Sequence, residues 1–286
     1  MTNLIIPDRP SHWYYHNGQP CYLLPMKTKP GELRSPTIRD AKELDLVPSV
    51  SGMQNMLYKP ALEAWKMMQT VLSALTLPQN PGESQDDFSR RVVNDSQAES
   101  RRAADFGTNV HAMAESYVKG EIPSSLSAVE MTFLEGFMLW ANAHEITTLK
   151  TEESFCNWAE GFGGRVDFIG YIKCKQWGVE CNCPTPLDGL YIVDWKTQGT
   201  KGREKSISFY PDWNTQLSGY KHGLGLMQAE KLSVVISSTE PGRVEARPWQ
   251  DGETDWGWET FKHLRGLWYS PLGPGAELRN LRGYSW

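Results

Sequence analysis

Several things are missing from this sequence, and each absence narrows what the protein can be. No apolar run in the chain approaches the roughly 20 residues needed to cross a bilayer. The opening stretch, Met1-Thr2-Asn3-Leu4-Ile5-Ile6-Pro7-Asp8, has neither the basic start nor the long apolar segment of a signal peptide. The expectation is a cytoplasmic protein with no membrane partner. Positive charge is also short: 29 Lys and Arg stand against 34 Asp and Glu, for a net charge of -5. That excludes a surface coated in basic residues, but not a local basic groove, because nucleic acid responds to the local field. Cysteines are five, an odd number, which excludes a disulfide scaffold as the basis of the fold. Internal repeats and low-complexity linkers are absent from the sequence as well. The economical organisation is one compact unit, in which residues 1–100 form a hairpin and helical extension packed on a core of residues 101–286.

What is present centres on two short stretches. Gly163-Gly164-Arg165-Val166-Asp167-Phe168-Ile169-Gly170 and Tyr191-Ile192-Val193-Asp194-Trp195-Lys196-Thr197 both read as strands, rich in β-branched and aromatic residues. Side chains alternate along a strand, so Asp194 and Lys196 share one face while Val193, Trp195 and Thr197 share the other. If the two strands are neighbours, two carboxylates and an ammonium converge.

Upstream, Asn17-Gly18 between aromatic-rich runs predicts a hairpin over 11–25. From Val47 a helical stretch is expected, with Leu57, Leu62, Trp65, Met68, Val71, Leu72 and Leu75 near helical spacing. Ser84, with Asp86 and Asp87 behind it, caps a helix expected to run to about Ala104. Its arginines (Arg90, Arg91, Arg101, Arg102) read first as a solvated charged face, and second as a contact for phosphates. Gly107-Thr108 opens a further helix on which His111 and Glu115 share a face. A lone histidine there is more often structural than a ligand. A helix over Ser124–Glu145 buries Val129, Phe133, Phe137 and Trp140, and a strand over Ile146–Phe155 carries Glu152 and Glu153, which sequence alone barely separates.

Residues 174–189 interrupt the two key strands with Cys174, Cys181 and Cys183. A structural zinc site wants four ligands in paired spacings, so a reduced, partly buried loop is the expectation. Beyond a basic loop (Lys201, Arg203, Lys205), a helix places Gln216 and Tyr220 on one face. A final hairpin (232–249) and an amphipathic helix (Thr254–Tyr269) follow.

His111, one of the two glutamates, Asp167, Asp194 and Lys196 make a hard-donor set with a cation beside it. Such donors select Mg²⁺ or Mn²⁺, the imidazole leaning toward Mn²⁺. Phosphodiester hydrolysis fits these parts, the ion activating water and neutralising phosphoryl charge. The bland alternative is a salt-bridge cluster at strand ends.

The ordered set Gly107 to His111, Glu152, Gly164 to Asp167, Asp194-Trp195-Lys196-Thr197 and Gln216 to Tyr220 resembles the PD-(D/E)xK nuclease superfamily, in its RecB-like, phage recombination exonuclease branch. The resemblance covers roughly residues 100–240. It implies an α/β fold with a restriction-endonuclease-like core, a central mixed β-sheet flanked by helices, and an N-terminal helical extension. It implies that His111, Asp167, Asp194 and the Trp195 carbonyl hold the metal, and that Lys196 acts in catalysis with Asp194, Asp167 and Glu152. Gln216, Tyr220, Arg165 and Thr197 would support the site or touch DNA. The implied activity is a Mg²⁺- or Mn²⁺-dependent exonuclease on linear DNA, in recombination, replication or repair. Implied partners are DNA ends, a single-strand annealing or recombination protein, and further copies of the chain. A DNA-end-binding module that no longer cuts and a nucleotide phosphohydrolase are the alternatives. The interval between Asp167 and Asp194 is long because of the cysteine insertion. No cysteine follows Cys183, so the iron–sulfur cluster of some branch members is not expected.

Overall fold

Alternation of apolar and polar residues from 162 to 174 and from 188 to 198 builds the middle of a sheet, as the computed structural model shows for the residues it describes: 13–121, 126–250, 252 and 254–278, without the side chains of 99, 100 and 103. In chain order the elements are β1 (Trp13–Tyr14), β2 (Leu24–Pro25), β3 (Leu33–Arg34), α1 (Ile38–Glu43), β4 (Val47–Pro48), α2 (Val50–Gln54), α3 (Pro60–Thr76) and α4 (Gln85–Val118). Then follow α5 (Ala128–Asn142), β5 (His144–Asn157), β6 (Phe162–Cys174), β7 (Asp188–Gln198), α6 (Pro211–Leu224), β8 (Glu230–Ser237), β9 (Val244–Trp249) and α7 (Trp256–Tyr269). Strands β5 to β9 form one sheet in sequence order, antiparallel except for the β7–β8 pair. A parallel neighbour needs a crossover, and α6 lies within it. The result is a mixed α/β architecture with a five-stranded mixed sheet flanked by helices.

Each face of the sheet carries its own core. On one, Val110 and Met113 of α4 and Phe137 and Trp140 of α5 meet Phe168, Val193 and Trp195. On the other, Val50, Met53, Leu217, Tyr220 and Phe261 meet Ile169 and Ile192. Strand β7 therefore sends Val193 and Trp195 one way and Ile192 the other, the period-2 alternation of a strand buried on both faces. Asp194 and Lys196 stand on the second face, where the apolar layer gives way to the polar side chains of α6. The amino-terminal region docks on this side too, with β1 paired to β4 and Ser49 bridged to Gly163.

Several expectations are corrected. The helices expected to break before Gly107 are one continuous helix of 34 residues, α4. Gly107 is not a break: a methyl group there would lie 2.8 Å from Thr197 Oγ1, so the missing side chain lets α4 pass close over β7. The stretch from Val47 is not one helix but β4, α2 and α3. On α3, Leu62, Trp65, Met68, Val71, Leu72 and Leu75 are exposed, because this helix packs along α4 and not on the sheet. The 11–25 hairpin closes only as a tight turn through Tyr15, Gly18 and Gln19, after which the chain leaves to pair β2 with β3. Residues 11 and 12 and Ser124 lie outside the described residues, as does the stretch Met1–Asp8. Val129 is 63% exposed and not part of the buried stripe of α5. Of the arginines, Arg90 pairs with Asp87 and Arg91 clamps Glu83 and the Pro78 carbonyl across the α3–α4 turn, while Arg101 and Arg102 are exposed.

Candidate active site

The β6–β7 ladder ends at the pair Phe168–Val193. Beyond it β6 stays with β5, and β7 stays with β8, so the sheet forks. Asp167 and Asp194 are the next residues on the two prongs. The Asp167 carboxylate is held at that point by the backbone: the Trp195 N–H donates to its Oδ2 at 2.8 Å. Asp194 is 3% exposed and the Asp167 side chain 14% exposed.

Three further elements bring side chains to the fork. From β5, Glu152 stands across from Asp167 in a left-handed backbone conformation (φ 51°), uncommon outside glycine. Its Oε2 lies 2.7 Å from Arg165 Nε. Glu153 instead pairs with Lys150 at 2.8 Å on the exposed side, so the structure separates two glutamates that the sequence did not. From α4, His111 Nδ1 reaches to 3.6 Å from Asp167 Oδ2. From α6, Gln216 organises the lysine. Lys196 Nζ lies 2.5 Å from Asp194 Oδ2 and donates to Gln216 Oε1 at 3.0 Å. Gln216 Nε2 donates in turn to Asp194 Oδ1 at 3.1 Å and to the Tyr220 hydroxyl at 2.7 Å. The i, i+4 spacing of Gln216 and Tyr220 puts both on one face. The Trp213 ring, 5.8 Å from Lys196 Nζ, covers the ammonium from the same helix.

Other expected residues have different surroundings. Trp195 contributes its N–H to Asp167, and its indole belongs to the core with Phe137 and Phe168. Arg165 is engaged by Glu152 and lies over the Tyr22 ring, and Thr197 packs under Gly107. These contacts give both a structural role.

Electrostatics tests whether a divalent cation suits the fork. Burial raises the Asp167 carboxyl well above the usual carboxylate range, and the charges of Asp194 and Glu152 raise it further. Lys196 and the Trp195 N–H oppose this only in part. The fork thus carries more negative charge than its own groups neutralise, and hard oxygens with one imidazole are the donors of a Mg²⁺ or Mn²⁺ site. The donors do not form a closed shell. Mg²⁺ binds in that manner, through one or two carboxylates with water and substrate oxygens completing the octahedron. The residues fit such an ion.

A second cluster is tighter. His144, Cys174, Cys181 and Cys183, all buried, bring one ligand atom each within 4.8 Å of one another, close enough to hold a metal ion. The expectation of a merely reduced loop missed the fourth member. His144 was placed at the end of a helix, whereas α5 stops at Asn142 and His144 opens β5, directly across the ladder from Cys174. No local spacing reveals that partnership; only strand register does.

Among the described residues, no helix is long and apolar enough to cross a membrane. Comparison with known proteins gives no match to a family model and none to a curated protein. The class defined so far is a mixed α/β protein with an acidic fork in its sheet and a buried Cys₃His cluster. Function is argued from these sites.

Proposed function

We propose that the chain is a divalent-metal-dependent deoxyribonuclease that degrades linear DNA from its ends, on a restriction-endonuclease-like core of the PD-(D/E)xK kind. One observation carries the reading: the sheet opens at Asp167 and Asp194, with Lys196 held beside them by Gln216. A salt-bridge cluster at strand ends would not need a glutamine donating to one partner and accepting from the other.

His111, Asp167, Asp194 and the Trp195 carbonyl would hold Mg²⁺ or Mn²⁺, with the Glu152 carboxylate beside them, and the ion would supply Lewis acidity toward water and the scissile phosphoryl group. Lys196 points its ammonium along the carboxylates, where it orients the attacking water and stabilises negative charge developing on the phosphoryl oxygens. Gln216 fixes that ammonium, which pairs with Asp194 Oδ2, and donates to Asp194 Oδ1, so the whole Asp194–Lys196 unit is held in one orientation. Tyr220 stays protonated, because burial and then the Asp194 charge push its phenol well above its ordinary value. It acts as the anchor for Gln216.

Asp194→Asn and Lys196→Ala are each expected to lower Mg²⁺-dependent degradation of linear duplex DNA by about 100-fold or more while leaving the thermal midpoint of a folded protein in place. Wild-type rates in both variants would remove the mechanism. Parallel digestion of circular and linear DNA separates end-dependent cutting from internal cutting. Linear DNA that is bound but survives with both Mg²⁺ and Mn²⁺ would establish the end-binding alternative.

A further inference from the structure

The cluster of His144, Cys174, Cys181 and Cys183 stands well apart from the acidic fork. Cys174 closes β6, seven residues beyond Asp167. At about 3.4 Å per residue that is roughly 20 Å or more along the strand. The Cys181 and Cys183 sulfurs come back to it on the β6–β7 connection, and His144 comes from the opposite strand. Cys174 Sγ lies 3.2 Å from Cys181 Sγ, and His144 Nε2 lies 3.3 Å from Cys181 Sγ and 3.4 Å from Cys183 Sγ.

Three features point to a metal and not to a chance meeting of thiols. First, the imidazole is oriented. His144 Nδ1 lies 2.6 Å from the Trp140 carbonyl, which can only accept, so Nδ1 carries the proton and Nε2 presents its lone pair to the sulfurs. Second, backbone amides are aimed at sulfur: Leu187 N–H donates to Cys174 Sγ at 3.2 Å and Cys183 N–H to Cys181 Sγ at 3.4 Å. Such bonds favour the thiolate form that a metal requires. Third, the tip of the connection is exposed, while Cys181 and Cys183 turn inward to the core beside Cys174. Trp177 and Val179 are 53% and 78% exposed, and its turn is closed by a Gly178 N–H bond to the Cys181 carbonyl.

We propose that His144 Nε2 and the sulfurs of Cys174, Cys181 and Cys183 form a tetrahedral structural zinc site that pins the β6–β7 connection to the start of β5. Soft thiolates with one imidazole match Zn²⁺, and four protein ligands leave no open position for chemistry. Bonds of about 2.3 Å to sulfur and about 2.0 Å to nitrogen give ligand separations of roughly 3.5–3.8 Å, inside the span observed. On binding, the three thiols release their protons to solvent and His144 keeps its Nδ1 proton.

The test uses the full chain, purified from zinc-supplemented culture and dialysed against EDTA. Elemental analysis is expected to find about one zinc per chain in the wild type and in Asp194→Asn, and almost none in Cys181→Ser or Cys183→Ser. Because the serine variants can misfold, a second measurement uses the wild type alone. Exchange of zinc for Co²⁺ is expected to give the intense visible bands and sulfur-to-cobalt charge transfer of a tetrahedral thiolate site. Alkylation is expected to spare Cys174, Cys181 and Cys183 in the native protein and to label them once the metal is stripped by a chelator in denaturant. A folded, active wild type without zinc and without a cobalt spectrum would overturn the proposal. So would a Cys174–Cys181 disulfide found by mass spectrometry in protein kept in reductant.

Discussion

Asp167 shows how a single residue is shaped by its neighbours. An isolated aspartate ionises near the bottom of the pH scale. At the fork, burial and the Asp194 and Glu152 carboxylates make its proton hard to remove. A carboxyl whose pKa is raised by folding binds its proton more tightly in the folded state. Its contribution to stability is therefore fully present below the unfolded value and is lost as pH rises through the folded value. Asp167→Asn keeps an acceptor for the Trp195 N–H but removes the charge. In metal-free protein the variant is expected to melt above the wild type near neutral pH, the difference vanishing at about pH 4, where the unfolded group also takes up its proton. Mg²⁺ is expected to raise the wild-type midpoint at neutral pH and to do little for the variant. Thermal scans at the two pH values, with and without the ion, check both signs. A variant that melts below the wild type at neutral pH would mean that Asp167 is not under electrostatic load.

At the scale of elements, small residues decide how closely helices approach the sheet. Gly107 allows α4 to lie over Thr197, which carries His111, one turn on, to Asp167. Gly136 does the equivalent for α5, where an added methyl would sit 2.5 Å from the Gly242 backbone. Alanine is favoured over glycine inside a helix by about 1 kcal/mol. Overpacking against rigid backbone costs about 1–3 kcal/mol. Gly136→Ala is expected to come out destabilising, seen as a lower denaturation midpoint with unchanged slope. A raised midpoint would show that the turn yields and that propensity wins. Gly107 is read from sequence as the start of a helix, and the structure shows why that reading fails: the constraint is a neighbour far away in the chain.

Across the whole molecule the two proposed ion sites sit at different places on the same strands. One end of β5 and β6 carries the Cys₃His cluster, and their middle carries Glu152 and Asp167. Sites well beyond 10 Å apart with no shared partner contribute independently to stability. The Mg²⁺-induced rise in midpoint is therefore expected to be the same in Cys183→Ser as in the wild type, even though the variant itself melts lower. A smaller rise would show that zinc at the strand ends also sets the opening of the fork.

Much of the geometry of the acidic fork was legible in residue order. The alternation that puts Asp194 and Lys196 on one face of β7, and the helical spacing of Gln216 and Tyr220, are local periodicities that any chain with these residues would express. So is the strand character of β6. What register decides was not legible. Glu152 and Glu153 are adjacent in sequence and part only because a ladder and a left-handed backbone angle turn one toward Asp167. The helical spacing of the apolar residues on α3 is legible but their exposure is not, since periodicity records that a face exists and not what covers it.

Sequence alone determined the chemical parts: which carboxylates, which amine, which thiols, and on what kind of element each is carried. Tertiary structure alone decided their company. It ended the β6–β7 ladder one residue short of two aspartates, ran α4 through Gly107, and set His144 opposite Cys174. Local propensity acts over a few residues, whereas each of these outcomes rests on contacts between segments that only the folded sheet brings together.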